Sequence, residues 1–181
     1  MKKIILSLTL TTLLIGLSVV GYLLYPLTYK GKDEIILLEN KNFESLQDIL
    51  NLKYFENKVV FVDVWGTYCG PCLNEFEYAG LLKERYNNLP VEFLYLCTGD
   101  RIDHKVKWRQ IIKDKNLKGY HVLSVDIYGD VWKNLEIDEK EKFLIPHYFI
   151  VKNGEIIVHS AFNPSTEEKL YNQLDNILQR N

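Results

Sequence analysis

The spacing of apolar residues changes repeatedly along this chain, and each change marks an element. Residues 35–38 are an apolar run that predicts a short strand. Phe43, Leu46, Ile49 and Leu50 recur at helical spacing, which predicts an amphipathic helix over 43–55. Residues 59–65 are continuously apolar apart from one acid and rich in β-branched side chains, the pattern of a strand buried on both faces. From Pro71 the apolar positions become Cys72, Phe76, Ala79, Leu82 and Tyr86, a helical stripe ending near Asn87-Asn88. A second buried strand follows at 91–97, and Trp108, Ile111 and Ile112 mark another helix. Residues 98–145 exceed what one crossover helix needs, so a further strand near 120–125 and a short helix near 128–135 are expected. Asn153-Gly154 between two apolar runs is a strong hairpin signal. Ser165 and Glu168 read as a capping box that opens a last helix carrying Leu170, Leu174, Ile177 and Leu178. This order predicts an α/β fold with a central mixed sheet and helices on both sides.

The first 30 residues differ from the rest. Lys2 and Lys3 precede residues 4–25, which carry no charge and are long enough to span a bilayer as a helix. A signal peptide starts the same way but has a shorter apolar core and a small-residue cleavage site. Val19-Val20-Gly21 is a weak candidate for such a site, so an uncleaved anchor is preferred and a cleaved signal stays open. The expected organisation is an anchor or signal over 1–27, a linker over 28–34 and a folded domain over 35–181. The positive-inside rule then places that domain on the extracytoplasmic side. With three lysines and no acid in those first 30 residues, the remainder is net −5. That acidity argues against nucleic acid as a partner. Hydrophobic residues at 47% and charged residues at 25% fit one folded domain. Three cysteines are too few for a disulfide-stapled mini-fold.

The chemistry concentrates in "VDVWGTYCGPC", residues 62–72. Cys69 falls where a buried strand gives way to a helix, and the free N–H groups and dipole of a helix start favour a thiolate. Cys72 comes one turn later on the same side, in reach of a mixed disulfide at Cys69. Pro71 suits a first helical turn. Cys69 is therefore expected to be the exposed nucleophile and Cys72 the buried resolving thiol. Asp63 interrupts an apolar strand, where desolvation would raise its pKa and make it a proton acceptor or donor for Cys72. The alternative is an acid on an edge strand facing solvent. Pro146 opens a strand after "FLI", where a cis X–Pro bond can be required.

Together, "VDVWGTYCGPC" and "IPHYFIVKNGEII" resemble the thioredoxin superfamily. The apolar N-terminus and the material inserted before the proline strand are similar to its membrane-tethered TlpA/ResA-type thiol–disulfide oxidoreductases. The resemblance covers roughly residues 35–181 and implies a thioredoxin-like fold. It implies Cys69 as nucleophile, Cys72 as resolving thiol, Asp63 as buried acid and Pro146 as a cis-proline facing the disulfide. Trp65, Tyr68, Gly70, Pro71, Ile145 and His147 are the expected lining of a substrate groove. Three positions depart from the family pattern: Tyr68 where Trp is usual, Glu77 where proline often kinks the helix, and Ile145 before the cis-proline.

A structural zinc site needs four ligands, and Cys97, His104 and His121 fall at no zinc spacing beside the single C-x-x-C, so no metal is expected. Cys97 reads as a buried strand residue, and Glu75 and Glu77 as a solvated helix face. No cofactor is implied. The expected function is an extracytoplasmic, monomeric reductase of disulfides in client proteins, re-reduced by a membrane thiol-electron carrier and tethered to the membrane by its N-terminal helix. A thiol oxidase or isomerase, and a binding module with an idle cysteine pair, are the alternatives.

Overall fold

The computed structural model describes residues 14–16, 18–21, 31–32, 34–39, 42–99, 102–124 and 126–179. Most of the predicted membrane segment lies outside them; within it, residues 14–16 and 18–21 are helical. No helix among the described residues is long and apolar enough to cross a membrane. Residues Gly31–Asn181 form one compact unit.

Among the described residues, that unit is built on a seven-stranded sheet. In chain order its elements are β1 (Gly31–Lys32), β2 (Ile35–Leu37), α1 (Leu46–Leu50), β3 (Val59–Gly66), α2 (Gly70–Arg85), β4 (Val91–Thr98), α3 (Ile102–Asp114), β5 (Gly119–Leu123), α4 (Tyr128–Lys133), β6 (His147–Lys152), β7 (Glu155–Val158) and α5 (Glu168–Gln179). The spatial order is β1-β2-β5-β4-β3-β6-β7. Strands β2, β5, β4 and β3 run parallel, while β6 runs antiparallel to β3. The central position of β3 explains its composition, since all eight residues are buried. The region between β4 and β6 holds the expected strand and short helix as β5 and α4. Asn153 and Gly154 turn β6 into β7 with φ of 53° and 82°, the left-handed pair that a tight hairpin demands.

Alternation along the strands sorts side chains to two faces. Val60, Val62, Val64, Leu94, Leu96, Phe149 and Val151 join Leu46, Ile49 and Leu50 of α1 and Val131 and Trp132 of α4 in one apolar core. The opposite face meets α2: Trp65 and Tyr95 both pack edge-on against Phe76, at 4.9 and 6.1 Å between ring centres.

Two local expectations are corrected. The helix predicted over 43–55 is only α1, followed by a 3-10 turn at Lys53–Phe55. Ser45 caps it, its hydroxyl accepting from the Asp48 N–H while the Asp48 carboxylate accepts from the Ser45 N–H, which leaves Phe43 outside the helix. The predicted Ser165–Glu168 box does not form. Ser165 sits in a 3-10 turn, Pro164–Thr166, and donates its N–H and its hydroxyl to Glu75, each at 2.8 Å. The Glu75 carboxylate has taken the N–H that a capping box would give to Glu168, and the hydroxyl that would accept in a cap donates to Glu75 instead.

Candidate functional site

Parallel strands bring their C-terminal ends to one edge of the sheet, and the cysteine pair sits there. Gly66, the last residue of β3, is in register with Thr98, the last of β4. The chain turns through Thr67 and Tyr68, with the Cys69 N–H donating to the Gly66 carbonyl at 3.0 Å, and α2 begins. Cys69 is the N-cap of that helix, and its sulfur accepts from the Cys72 N–H at 3.2 Å. Pro71 occupies the first turn, where no N–H is needed. A disulfide joins Cys69 to Cys72, with their Cα atoms 5.3 Å apart. The expected contrast in exposure is much reduced: Cys69 is 6% exposed and Cys72 fully buried. The neighbours Tyr68, Gly70 and Pro71 carry the exposure instead.

Because β6 is antiparallel, its beginning lies beside the end of β3, with His147 opposite Val64. The preceding Ile145–Pro146 peptide is cis. Gly66 lets three groups converge here: a Cβ at this position would lie 3.0 Å from Ile145 Cδ1 and 3.1 Å from both Thr98 Oγ1 and the Tyr68 ring. The Tyr68 and Thr98 hydroxyls are hydrogen-bonded at 3.1 Å, pinning an otherwise exposed ring beside Cys69.

Asp63 lies three residues before the end of β3, buried at 3% exposure on the face that meets α2. Its register partners are Tyr95 on β4 and Tyr148 on β6. His121 on β5 extends the row and stacks on Tyr95 at 4.7 Å. Among the described residues, neither Asp63 Oδ1 nor the Tyr148 hydroxyl has a hydrogen-bond partner. Burial, and secondarily the charge of Glu75, hold the Asp63 carboxyl well above the ordinary carboxylate range. Burial also raises the Cys97 thiol and both tyrosines, and lowers His121 to about 3. Cys97 is reduced and fully buried.

Two members of the expected groove do not line one. Trp65 is fully buried under Phe76, because its position on β3 faces α2. His147 is 9% exposed, donates from Nε2 to the His159 carbonyl at 2.8 Å, and packs 5.2 Å from the Trp132 ring. Tyr68, Gly70 and Pro71 are exposed and Ile145 half-buried. Sequence reasoning passed over Phe143 and Leu144, which are 56% and 60% exposed immediately before Ile145. The signal was the apolar "FLI" that closes the charged run "DEKEK". It also missed Glu75, which ties α2 to the turn at Ser165 rather than facing water alone. Among the described residues, no three His, Cys, Asp or Glu side chains converge as metal ligands would.

The geometry is that of a dithiol–disulfide centre, and comparison with known proteins agrees. The sequence model of the Redoxin family matches residues 41–178. The chain is 30% identical to the thiol-disulfide oxidoreductase ResA of Bacillus cereus over 98% of its own length and 99% of that protein's. Identity and coverage are the same for ResA of Bacillus thuringiensis subsp. konkukian. The fold superposes on the thioredoxin domain of a thiol-disulfide oxidoreductase from Bacteroides vulgatus with a TM-score of 0.55, covering 71% of this chain and 84% of that one at 22% identity. The chain belongs to the Redoxin family and is a ResA-like thiol–disulfide oxidoreductase of the thioredoxin superfamily.

Proposed function

We propose that this protein reduces disulfides in client proteins on the extracytoplasmic side of a membrane, to which residues 1–27 anchor it through the linker 28–34. The observation that carries the catalytic part is the Cys69–Cys72 pair at the N-terminus of α2, on the face of β3 that buries Asp63. In the reduced protein the Cys69 thiolate attacks one sulfur of a client disulfide. A Cys69–client bond forms, the client S–S bond breaks, and one client thiolate leaves. In molecules where Asp63 is ionised, Cys72 then gives its proton to the Asp63 carboxylate and attacks Cys69 Sγ, releasing the second client thiolate and closing the Cys69–Cys72 disulfide. Two electrons pass to the client, and a membrane thiol-electron carrier restores the dithiol.

The helix N-terminus supports Cys69 as the attacking group, since a developing thiolate there receives the Cys72 N–H as well as the helix dipole. A raised Asp63 carboxyl supports its role as proton acceptor, because its carboxylate form takes a thiol proton more readily than a carboxylate of ordinary strength would. Pro146 begins the strand that flanks this edge, and with Ile145 it is the proposed backbone contact for the client. The anchor rests on the uncharged run at 4–25, whose length matches a bilayer core. The Gly70-Pro71 dipeptide supports the reducing direction through its likeness to the reducing thioredoxins.

Cys72→Ser in the full chain tests the scheme. Attack by Cys69 should proceed and resolution stop, so client proteins accumulate as mixed disulfides that a thiol reductant releases. Absence of any adduct would remove Cys69 as the nucleophile. A reduction potential in the range of strong oxidants would reverse the direction of electron flow.

A further inference from the structure

We infer that Phe143 and Leu144 form a docking contact that favours client disulfides with an apolar side chain two or three residues from the reacting cysteine. This rests on protein disulfides being the substrate, as proposed above. Phe143 and Leu144 are 56% and 60% exposed, side by side in sequence. Phe143 has φ of 65°, a left-handed conformation that a bulky residue rarely adopts. The segment is nevertheless built into the fold. The Tyr128 hydroxyl donates to the Phe143 carbonyl at 3.4 Å, and the Phe143 ring rests 5.7 Å from the Tyr128 ring and 5.5 Å from that of Trp132. Val131 and Trp132 of α4 are in turn fixed in the apolar core of the sheet. A rigid aromatic shelf therefore presents an aromatic and an aliphatic side chain to solvent.

The occupant follows from what the strip is continuous with. Leu144 leads directly into Ile145, and Ile145 and Tyr68 crowd around Gly66, the residue from which the chain turns to Cys69. The apolar surface thus runs from Tyr68 through Ile145 and Leu144 to Phe143. Lys140 and Lys142, in the charged loop just before it, are paired with Asp138 and Glu139. Cys69 is 6% exposed, so a client sulfur reaches it only with its own chain laid along the surrounding surface. With the client's reacting cysteine at the proposed Ile145–Pro146 contact, Phe143 lies three residues back along the chain, at most about 10 Å away, which two or three residues of an extended client cover. A Leu, Ile or Phe of the client at that distance would meet Phe143, whereas a serine would leave the shelf exposed to water.

The test uses the full chain, reduced beforehand, and two disulfide-bonded peptides that differ only in Leu or Ser three residues from the cysteine. In a single turnover the Cys69/Cys72 dithiol becomes a disulfide and the peptide disulfide becomes two thiols. The wild type should reduce the Leu peptide about tenfold more efficiently, with the difference in the half-saturating concentration rather than the limiting rate. Phe143→Ser should bring that ratio to within about twofold of unity, and Phe143→Leu should keep most of it. Equal reduction of both peptides by the wild type, or a ratio untouched by Phe143→Ser, would overturn the docking contact and leave the oxidoreductase intact. Failure to reduce either peptide, with no adduct on Cys72→Ser, would instead overturn the reductase reading and the docking contact with it. A wild-type dimer converted to monomer by Phe143→Ser would make a second copy of the chain the occupant, and would also overturn the proposal.

Discussion

On one face of the central sheet, Val60, Val62 and Val64 of β3 meet Leu94, Leu96, Phe149 and Val151, with α1 and α4 closing over them. On the other, Phe61, Asp63 and Trp65 of the same strand meet Phe93, Tyr95, Cys97 and Tyr148, with α2 above. The buried part of the first face is hydrocarbon and the ring of Trp132, with Tyr120 and Tyr128 packed half-buried against it; the second holds an acid, two phenols, a thiol and an imidazole, nearly all shut away from water. A side-chain period of two allows this, since neighbouring residues on one strand experience different environments. Register is what keeps them apart, because a slip by one residue would carry Asp63 into the apolar core. Both faces bury large apolar side chains, Phe61, Trp65, Phe76 and Phe93 among them on the α2 side. Only the α2 face also buries this row of protonable groups, whose charged forms burial disfavours at a cost to stability.

The largest effect should come from hollowing the apolar face. Phe149 is fully buried in that core, and Phe149→Ala should cost about 3–5 kcal/mol of unfolding free energy. Urea unfolding of the oxidised protein measures it, and a loss below about 1 kcal/mol would break the contrast between the faces at its first term. On the other face the sign reverses. Asp63 is buried and its carboxyl raised, so the folded protein holds a proton that the unfolded chain releases. Stability at this site is therefore complete below the unfolded pKa of about 3.9 and falls as pH rises above it. Asp63→Asn should be more stable than the wild type by about 1–3 kcal/mol at pH 8 and no different below pH 4. The same variant should slow release of the client from Cys69; stability and turnover lost together would mean that Asp63 is structural.

This division was only half legible in the sequence. The apolar run at 59–65 with a single acid exposes both the buried strand and Asp63, because a carboxylate flanked by β-branched residues on a central strand is carried into the interior with them. Cys69 and Cys72 are legible for a similar reason: their spacing on a helix start is itself the chemistry. Trp65 lies buried against Phe76 rather than in a groove, and an aromatic beside a motif does not by itself show which face it occupies. Only the pairing of β3 with β4 and β6 settles that. The row from Tyr148 through Asp63 and Tyr95 to His121 spans four strands far apart in sequence, so no local pattern announces it. Ser165 failed as a cap for the same reason, since Glu75 competes for its donors from 90 residues away.

A smaller effect sharpens the contrast within the polar face. The His121 Nε2–H donates to the Leu117 carbonyl at 2.8 Å, and burial lowers its pKa to about 3. Here the unfolded chain binds the proton more readily. Stability is complete above the unfolded pKa of about 6.5 and is lost as pH falls toward 3, by up to about 1.4 kcal/mol per pH unit. Asp63 contributes with the opposite sign above pH 4, so the two offset one another between about pH 4 and 6.5. The wild type should be nearly level across that window. Asp63→Asn should become more stable with rising pH, and His121→Gln less stable. Parallel profiles for the two variants would show that one of these groups does not titrate as its burial dictates.

The smallest expected effect concerns the clamp between α2 and the turn before α5. Ser165→Ala removes one of the two hydrogen bonds on the Glu75 carboxylate and keeps the backbone N–H bond. It should cost about 0.5–1 kcal/mol at pH 5 and pH 8 alike, because a serine hydroxyl does not titrate between them. Glu75→Gln should behave differently. The Glu75 charge is the second cause, after burial, of the raised Asp63 carboxyl. Removing it should bring the Asp63 carboxyl closer to its ordinary range and so shallow the fall in stability above pH 4. Unfolding curves of both variants at pH 5 and pH 8 separate the two effects. If Glu75→Gln shifts stability equally at both values, the carboxylate is only a clamp, and desolvation alone sets the proton at Asp63.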